Sequence, residues 1–194
     1  SVPVVIGEYT PETKPVFLAK SNECQADIYF ASDLISKNLP SDLIGDYQAQ
    51  NKKTVLQTIA LLNKGNEFII TSKNIKSGLL NVVRNTGLQG RWQQVGESPK
   101  VICDTAHNKD GLQIVLNQIK KEVYDTLHIV LGVVNDKDLS EILPLFPKNA
   151  KYYFCKPNLP RGLDAAILKQ KASTFTLNGE AYNSVSEAYK KAIE

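Results

Sequence analysis

Three polar segments of this sequence carry residues that could bind or polarise a ligand, and each follows an apolar run. Asp104-Thr105-Ala106-His107-Asn108 follows Val101-Ile102-Cys103. Asn135-Asp136-Lys137 follows the apolar stretch 127–134, and residues 156–161, with Lys156 and Arg161 at their ends, follow Tyr152-Tyr153-Phe154-Cys155. If the apolar runs are strands of an open parallel sheet, all three segments stand at its carboxyl edge, where such sheets bind ligands. A carboxylate there, such as Asp104, can accept hydrogen bonds from a ribose diol; equally, an aspartate in a turn caps its own loop. His107 and Asn108 precede a helix expected from Asp110, whose first backbone amides could meet an anion. Lys156 and Arg161 could clamp a carboxylate or phosphate, the arginine with a planar fork, or form a solvated basic loop. Arg91-Trp92, beside two glycines, could be a hinge arginine reaching a phosphate or an exposed arginine next to an aromatic anchor.

Other chemistries find less support. Neither G-x-G-x-x-G nor G-x-x-x-x-G-K-[ST] follows a strand, which disfavours a nicotinamide dehydrogenase and a self-contained phosphate-cradling hydrolase. The two histidines, His107 and His128, have no carboxylate at ligand spacing, so no metal site is assigned. His128 falls inside an apolar run and reads as a satisfied or edge-facing residue. Cys24, Cys103 and Cys155 are three in number and widely spaced, which fits buried, reduced thiols in a cytoplasmic protein. With 23 basic and 20 acidic residues the net charge is +3, which gives no support to nucleic-acid binding. The first residues lack the pattern of a signal peptide, and no apolar run approaches the length of a membrane helix. The 42% apolar and 22% charged content over 194 residues is ordinary for one or two globular domains.

The elements that must position these residues follow from periodicity. Val4-Val5-Ile6 and Ile28-Tyr29-Phe30-Ala31 read as strands, with Pro11 and Pro15 punctuating the stretch between them. A helix is expected over 45–63, its apolar stripe being Val55, Ile59 and Leu62, and another over 75–83. Residues 86–91, rich in glycine, read as a hinge. Beyond it strand and helix alternate: strand 101–103, helix 110–123 with Leu112, Val115, Leu116 and Ile119 on one face, strand 127–134, helix 138–146, strand 152–155, helix 163–174, and a last helix capped by Ser184 or Ser186. Short connections between such elements mean βαβ units and a parallel sheet. The chain therefore divides into residues 1–86, part of a mixed α/β domain, and 87–194, a three-layer α/β domain.

Three motifs in order resemble one family. Gly45-Asp46-Tyr47-Gln48-Ala49-Gln50-Asn51 is similar to its G-x-[HY]-Q-x-x-N segment. Gly87-Leu88-Gln89-Gly90-Arg91-Trp92 is similar to its G-x-x-G-R linker, and Asp104-Thr105-Ala106-His107-Asn108 to its D-[GT]-[AG]-H-N motif. Pro3-Val4-Val5-Ile6-Gly7-Glu8 and Asn135-Asp136-Lys137-Asp138 add to the likeness. The family is folylpolyglutamate synthase/dihydrofolate synthase, of the Mur ligase superfamily.

The resemblance implies a fold: a Rossmann-like C-terminal domain with a mostly parallel sheet, preceded by the tail of a P-loop-type α/β central domain. It implies a chain that begins inside a longer product, with the phosphate loop, the Mg2+ ligands and a modified lysine upstream of Ser1. It implies an ATP-dependent ligase in which a carboxylate of dihydropteroate or folate is phosphorylated and the acyl phosphate is attacked by the amine of L-glutamate. By the same resemblance Asn51 contacts adenine, Arg91 reaches the nucleotide from the hinge, Asp104 binds the ribose region and His107 sits beside the nucleotide. Asp136, Lys137, Lys156 and Arg161 face the cleft, and Lys156 and Arg161 are candidates to hold glutamate or the polyglutamate tail. The partner that the resemblance implies is the missing N-terminal and central domain of the same protein, and the piece alone is expected to be inactive. Another Mur-type ligase, such as a peptidoglycan amino-acid ligase, and a non-catalytic nucleotide-binding domain are the alternatives.

Overall fold

A computed structural model describes residues 2–65, 69–136 and 138–194. The chain forms two compact units, residues 1–95 with 102–104, and residues 96–101 with 105–194.

The first unit opens with a βαβ crossover. Strands β1 (Val4–Ile6) and β2 (Ile28–Phe30) pair in parallel, Val5 opposite Tyr29. The helix between them, α1 (Thr13–Glu23), is where punctuation by proline was expected. Pro15 is its third residue, inside the first turn, where a missing N–H breaks no intrahelical bond. After α2 (Ala31–Leu34), α3 runs Gln48–Lys64 as the periodicity predicts. Its expected apolar stripe is not its buried face. Gln48 and Gln57 are buried, while Val55 and Leu62 stay 44% and 41% exposed. α3 packs on α2 and β1 through its Gln and Thr side, with Thr54 against Gly7.

The expected single helix over 75–83 is two, α4 (Ser72–Leu79) and α5 (Val82–Thr86). Thr71 and Asn74 close a capping box on α4. Asp42 Oδ2 accepts from Val83 N at 2.9 Å and so satisfies a first-turn amide of α5. Gly87 ends α5 at φ +67, the left-handed conformation that glycine adopts without strain. β3 (Gln93–Glu97) then pairs with β4 (Lys100–Cys103) across the two residues Ser98 and Pro99. β4 was expected as the first strand of the parallel sheet. It pairs instead with β3, a polar strand without the alternation that would mark it in sequence.

The parallel sheet belongs to the second unit and has the order β5-β6-β7, from β5 (His128–Leu131), β6 (Lys151–Cys155) and β7 (Gly179–Tyr182). Helices α6 (Lys109–Ile119), α7 (Leu139–Ile142) with the 3-10 turn Leu143–Leu145, α8 (Ala165–Ser173) and α9 (Val185–Ile193) complete it. Strand period two sends Tyr152 and Phe154 of β6 into the core. There they meet Leu112 and Leu116 of α6, Ile142, Leu143 and Leu168. Tyr153 takes the alternate position and stacks on His128 and Tyr182 with centroids 5.6 and 5.9 Å away. His128 is exposed on edge strand β5, its Nδ1 2.9 Å from Tyr153 Oη. The apolar run over 127–134 supplies only four strand residues. Past Leu131 it leaves the sheet, and Val134 bridges Gly162 in an antiparallel sense.

Of the cysteines, expected buried, Cys155 is buried while Cys24 and Cys103 are exposed; all three are free thiols. Among the described residues no helix is long and apolar enough to cross a membrane.

Candidate functional site

The first unit gathers the motifs around one carboxylate. Asp104 Oδ2 accepts from the Trp92 backbone N–H at 2.6 Å and from the Tyr47 hydroxyl at 2.9 Å. The segments around Gly45, Gly90 and Asp104, remote in sequence, thus meet at the end of β4. Each has a local reason for its residues. A side chain on Gly45 would place Cβ 2.8 Å from Tyr47 Cε1 and 3.2 Å from Trp92 Cβ, so only glycine lets the phenol and indole residues close on each other here. Trp92 sits at φ +50, a conformation bulky residues rarely adopt. Its side chain is 2% exposed, and burial of the indole holds the backbone there. Gly90, two residues earlier, donates its N–H to Gln93 Oε1 at 2.9 Å.

Electrostatics follow the geometry. Burial, then the hydrogen bond and charge of Asp104, push the Tyr47 hydroxyl up to about 12, while the Arg91 charge pulls the other way. Tyr47 is therefore a neutral donor at any physiological pH. Arg91 is exposed and donates from Nη1 to Gly90 O at 3.3 Å. Asn51 is exposed on α3, where its Nδ2 donates to Oε1 of the buried Gln48 at 2.9 Å. That bond fixes the amide's orientation and leaves an acceptor and a donor edge pointing away from Gln48. A cavity of about 250 Å3 lies beside the cluster, lined by Asp42, Ile44, Val83, Leu88, Arg91 and Trp92 among others. It is smaller than ordinary ligand pockets of about 300–1,000 Å3, and neither Asn51 nor Asp104 lines it.

The remaining candidates lie in the second unit. His107 is exposed, with Nδ1 3.1 Å from Thr105 O. Asn108 is the N-cap of α6, its side chain accepting from Gly111 N at 2.8 Å. At the carboxyl edge of the sheet, Arg161 Nη1 donates to Asp136 Oδ2 at 3.0 Å, with both side chains more than half exposed. Backbone bonds from Asn135 N to Arg161 O and from Leu163 N to Val133 O tie the loops after β5 and β6 together. Lys156 is exposed on the same edge. Lys137 lies outside the described residues. The order β5-β6-β7 has no reversal of direction, so the sheet by itself offers an edge rather than a crevice. Among the described residues no three His, Cys, Asp or Glu side chains gather to hold a metal.

The sequence assigned no role to Tyr47, to the Trp92 N–H or to Gln48. A phenol inside a quoted motif was the available signal, since a buried hydroxyl needs a partner.

This architecture has solved counterparts. A Mycobacterium tuberculosis folylpolyglutamate synthase complexed with ADP and AMPPCP matches 98% of this chain and 47% of its own, with a TM-score of 0.81 at 21% identity, a likeness of fold. The family described as Mur ligase, glutamate ligase domain, matches residues 90–194, and the chain belongs to it. A probable bifunctional folylpolyglutamate synthase/dihydropteroate synthase of Haloferax volcanii is 32% identical over 161 residues, 82% of this chain and 18% of the relative. The dihydrofolate synthase/folylpolyglutamate synthase of Escherichia coli K12 is 30% identical over 159 residues, 81% of this chain and 34% of its own. The chain thus spans about a third or less of these relatives and about half of the solved structure.

Proposed function

We propose that this chain is the C-terminal part of an ATP-dependent ligase that adds L-glutamate to dihydropteroate or a folate. The observation that carries the reading is the meeting of three motif segments at Asp104, with Tyr47 and Trp92 fixing one carboxylate oxygen. The donor set suits a nucleoside triphosphate. Asn51, oriented by Gln48, offers an amide edge to adenine. Asp104 offers a carboxylate to the ribose hydroxyls, and Arg91 a permanent positive charge to the phosphates. His107, next to the α6 N-cap Asn108, is a further candidate for the nucleotide by its motif alone. Lys156 and Arg161 offer cations to a carboxylate of glutamate or of the polyglutamate tail. For Arg161, that means exchanging its exposed pair with Asp136, a bond of the surface type worth about 0–1 kcal/mol.

In this reading a carboxylate of the acceptor takes the γ-phosphoryl group, giving an acyl phosphate and ADP. The glutamate amine then attacks the carbonyl, and phosphate leaves as the amide forms. Activation is needed because a carboxylate is a poor electrophile. Water must be excluded while the acyl phosphate exists. By the resemblance, the ligands of Mg2+ lie upstream in the central domain of the same protein. That domain is also the proposed partner of residues 1–86, with 87–194 as the glutamate ligase domain. Two half-buried parallel strands with no further strand beside them among the described residues, and the exposed Val55 and Leu62 of α3, support it.

The test is Asp104→Ala in the intact enzyme, followed by ADP release with dihydropteroate or a folate as acceptor and glutamate as the amine. Loss of turnover with the fold retained is expected. Near-normal turnover would sink the site, and activity only with a different acceptor would change the substrate.

A further inference from the structure

Tyr47 has a job that the adenine, ribose and phosphate assignments leave unfilled. Its hydroxyl and the Trp92 N–H both end on Oδ2 of Asp104, at 2.9 and 2.6 Å. Two donors converging on one oxygen from different segments fix the plane of a carboxylate, whereas one donor lets it swing. The chain has invested in this seat. Gly45 gives up its side chain so that the Tyr47 ring and Trp92 can close in, and Trp92 holds a left-handed backbone that presents its N–H. A tyrosine that merely filled space could be a phenylalanine. Here the hydroxyl reaches a carboxylate 57 residues away in sequence.

We infer that Tyr47 is a positioning residue: it acts through Asp104, aiming the carboxylate so that it receives the ribose hydroxyls of the nucleotide. The inference rests on the proposed nucleotide reading of Asp104. Tyr47 itself touches no nucleotide in this arrangement. Burial keeps its hydroxyl protonated, so the bond persists across physiological pH.

The experiment compares the binding of ATP and 2′,3′-dideoxy-ATP to the intact enzyme, without acceptor or glutamate, by isothermal titration calorimetry. Wild type, Tyr47→Phe and Asp104→Asn are titrated, and near-UV circular dichroism checks that each variant is folded. Wild type is expected to prefer ATP by about tenfold, the scale of a hydrogen bond to a charged group. Tyr47→Phe should collapse that preference toward the value for Asp104→Asn while leaving dideoxy-ATP binding unchanged. An intact wild-type enzyme that binds neither nucleotide, or does not discriminate between them, overturns the nucleotide role of Asp104 and this inference with it. Discrimination lost in Asp104→Asn but intact in Tyr47→Phe overturns only the role of Tyr47. Equal loss of both nucleotides in Tyr47→Phe shows that the phenol holds the fold rather than the aim, and also overturns it.

Discussion

At the scale of single residues, burial sets which groups can react. Cys155 is 1% exposed, and burial pushes its thiol up to about 11. Cys24 and Cys103 are exposed. A thiolate-trapping reagent on the native chain should therefore find two fast thiols and one slow, and three fast only in denaturant; three fast thiols in buffer would contradict the packing around β6. Tyr47 makes a pH prediction. Its hydroxyl titrates near 10 in an unfolded chain and at about 12 here. The folded state holds the proton more tightly, so the associated stability is complete below pH 10 and fades as pH rises toward 12. The difference in urea midpoint between wild type and Tyr47→Phe should shrink over that window; a constant difference would mean that the hydroxyl is not so held. Asp104 was legible as a carboxylate at a strand end. Its partners were not, because neither periodicity nor local spacing encodes a bond between residues 47 and 104.

At the scale of elements, what could be read was what periodicity and caps announce. α6 carries Leu112 and Leu116 on its core face, β6 alternates Tyr152, Tyr153 and Phe154, and Ser184 caps α9 by accepting from Glu187 N. What escaped were elements whose sequences argue against themselves. α1 begins among prolines, β3 is Gln-Gln-Val-Gly-Glu, and β7 is Gly-Glu-Ala-Tyr. These form because neighbours supply the pairing, a tertiary effect that overrides local propensity. The α3 stripe failed for a related reason: periodicity shows that a helix has an apolar side, not which side its own unit covers. Caps give a direct test. Asp164 accepts from both Ala166 N and Ile167 N at the start of α8. Asp164→Ala should cost about 1 kcal/mol, a fall of about 2–4 °C in melting temperature, and Asp164→Asn should recover most of it. No change in melting on removal of the side chain would show that water replaces it. In the core of the same unit, Leu168, 0% exposed, should cost about 2–5 kcal/mol when cut to alanine, read from the denaturant midpoint.

At the scale of the molecule, membership of the family could be read from three short motifs in order, although overall identity to the relatives is only near 30%. The division of labour could not. The strand that carries Asp104 was assigned to the parallel sheet, yet it pairs with β3, and residues 102–104 group with the first unit. On the proposed reading the nucleotide is shared with a central domain, and the 194 residues contain no G-x-x-x-x-G-K-[ST] loop. The purified chain should then release no ADP in the presence of ATP, glutamate and either acceptor. Release that depends on all three would show that the residues described suffice.

The buried indole beside Asp104 has an optical consequence. The sequence holds a single tryptophan, and it is Trp92. All indole emission of this protein therefore originates at one point, next to the carboxylate that three segments converge on. A change in the wavelength or lifetime of that light reports the state of the seat directly, with no label attached, once excitation at the red edge of indole absorption leaves the eight tyrosines unexcited.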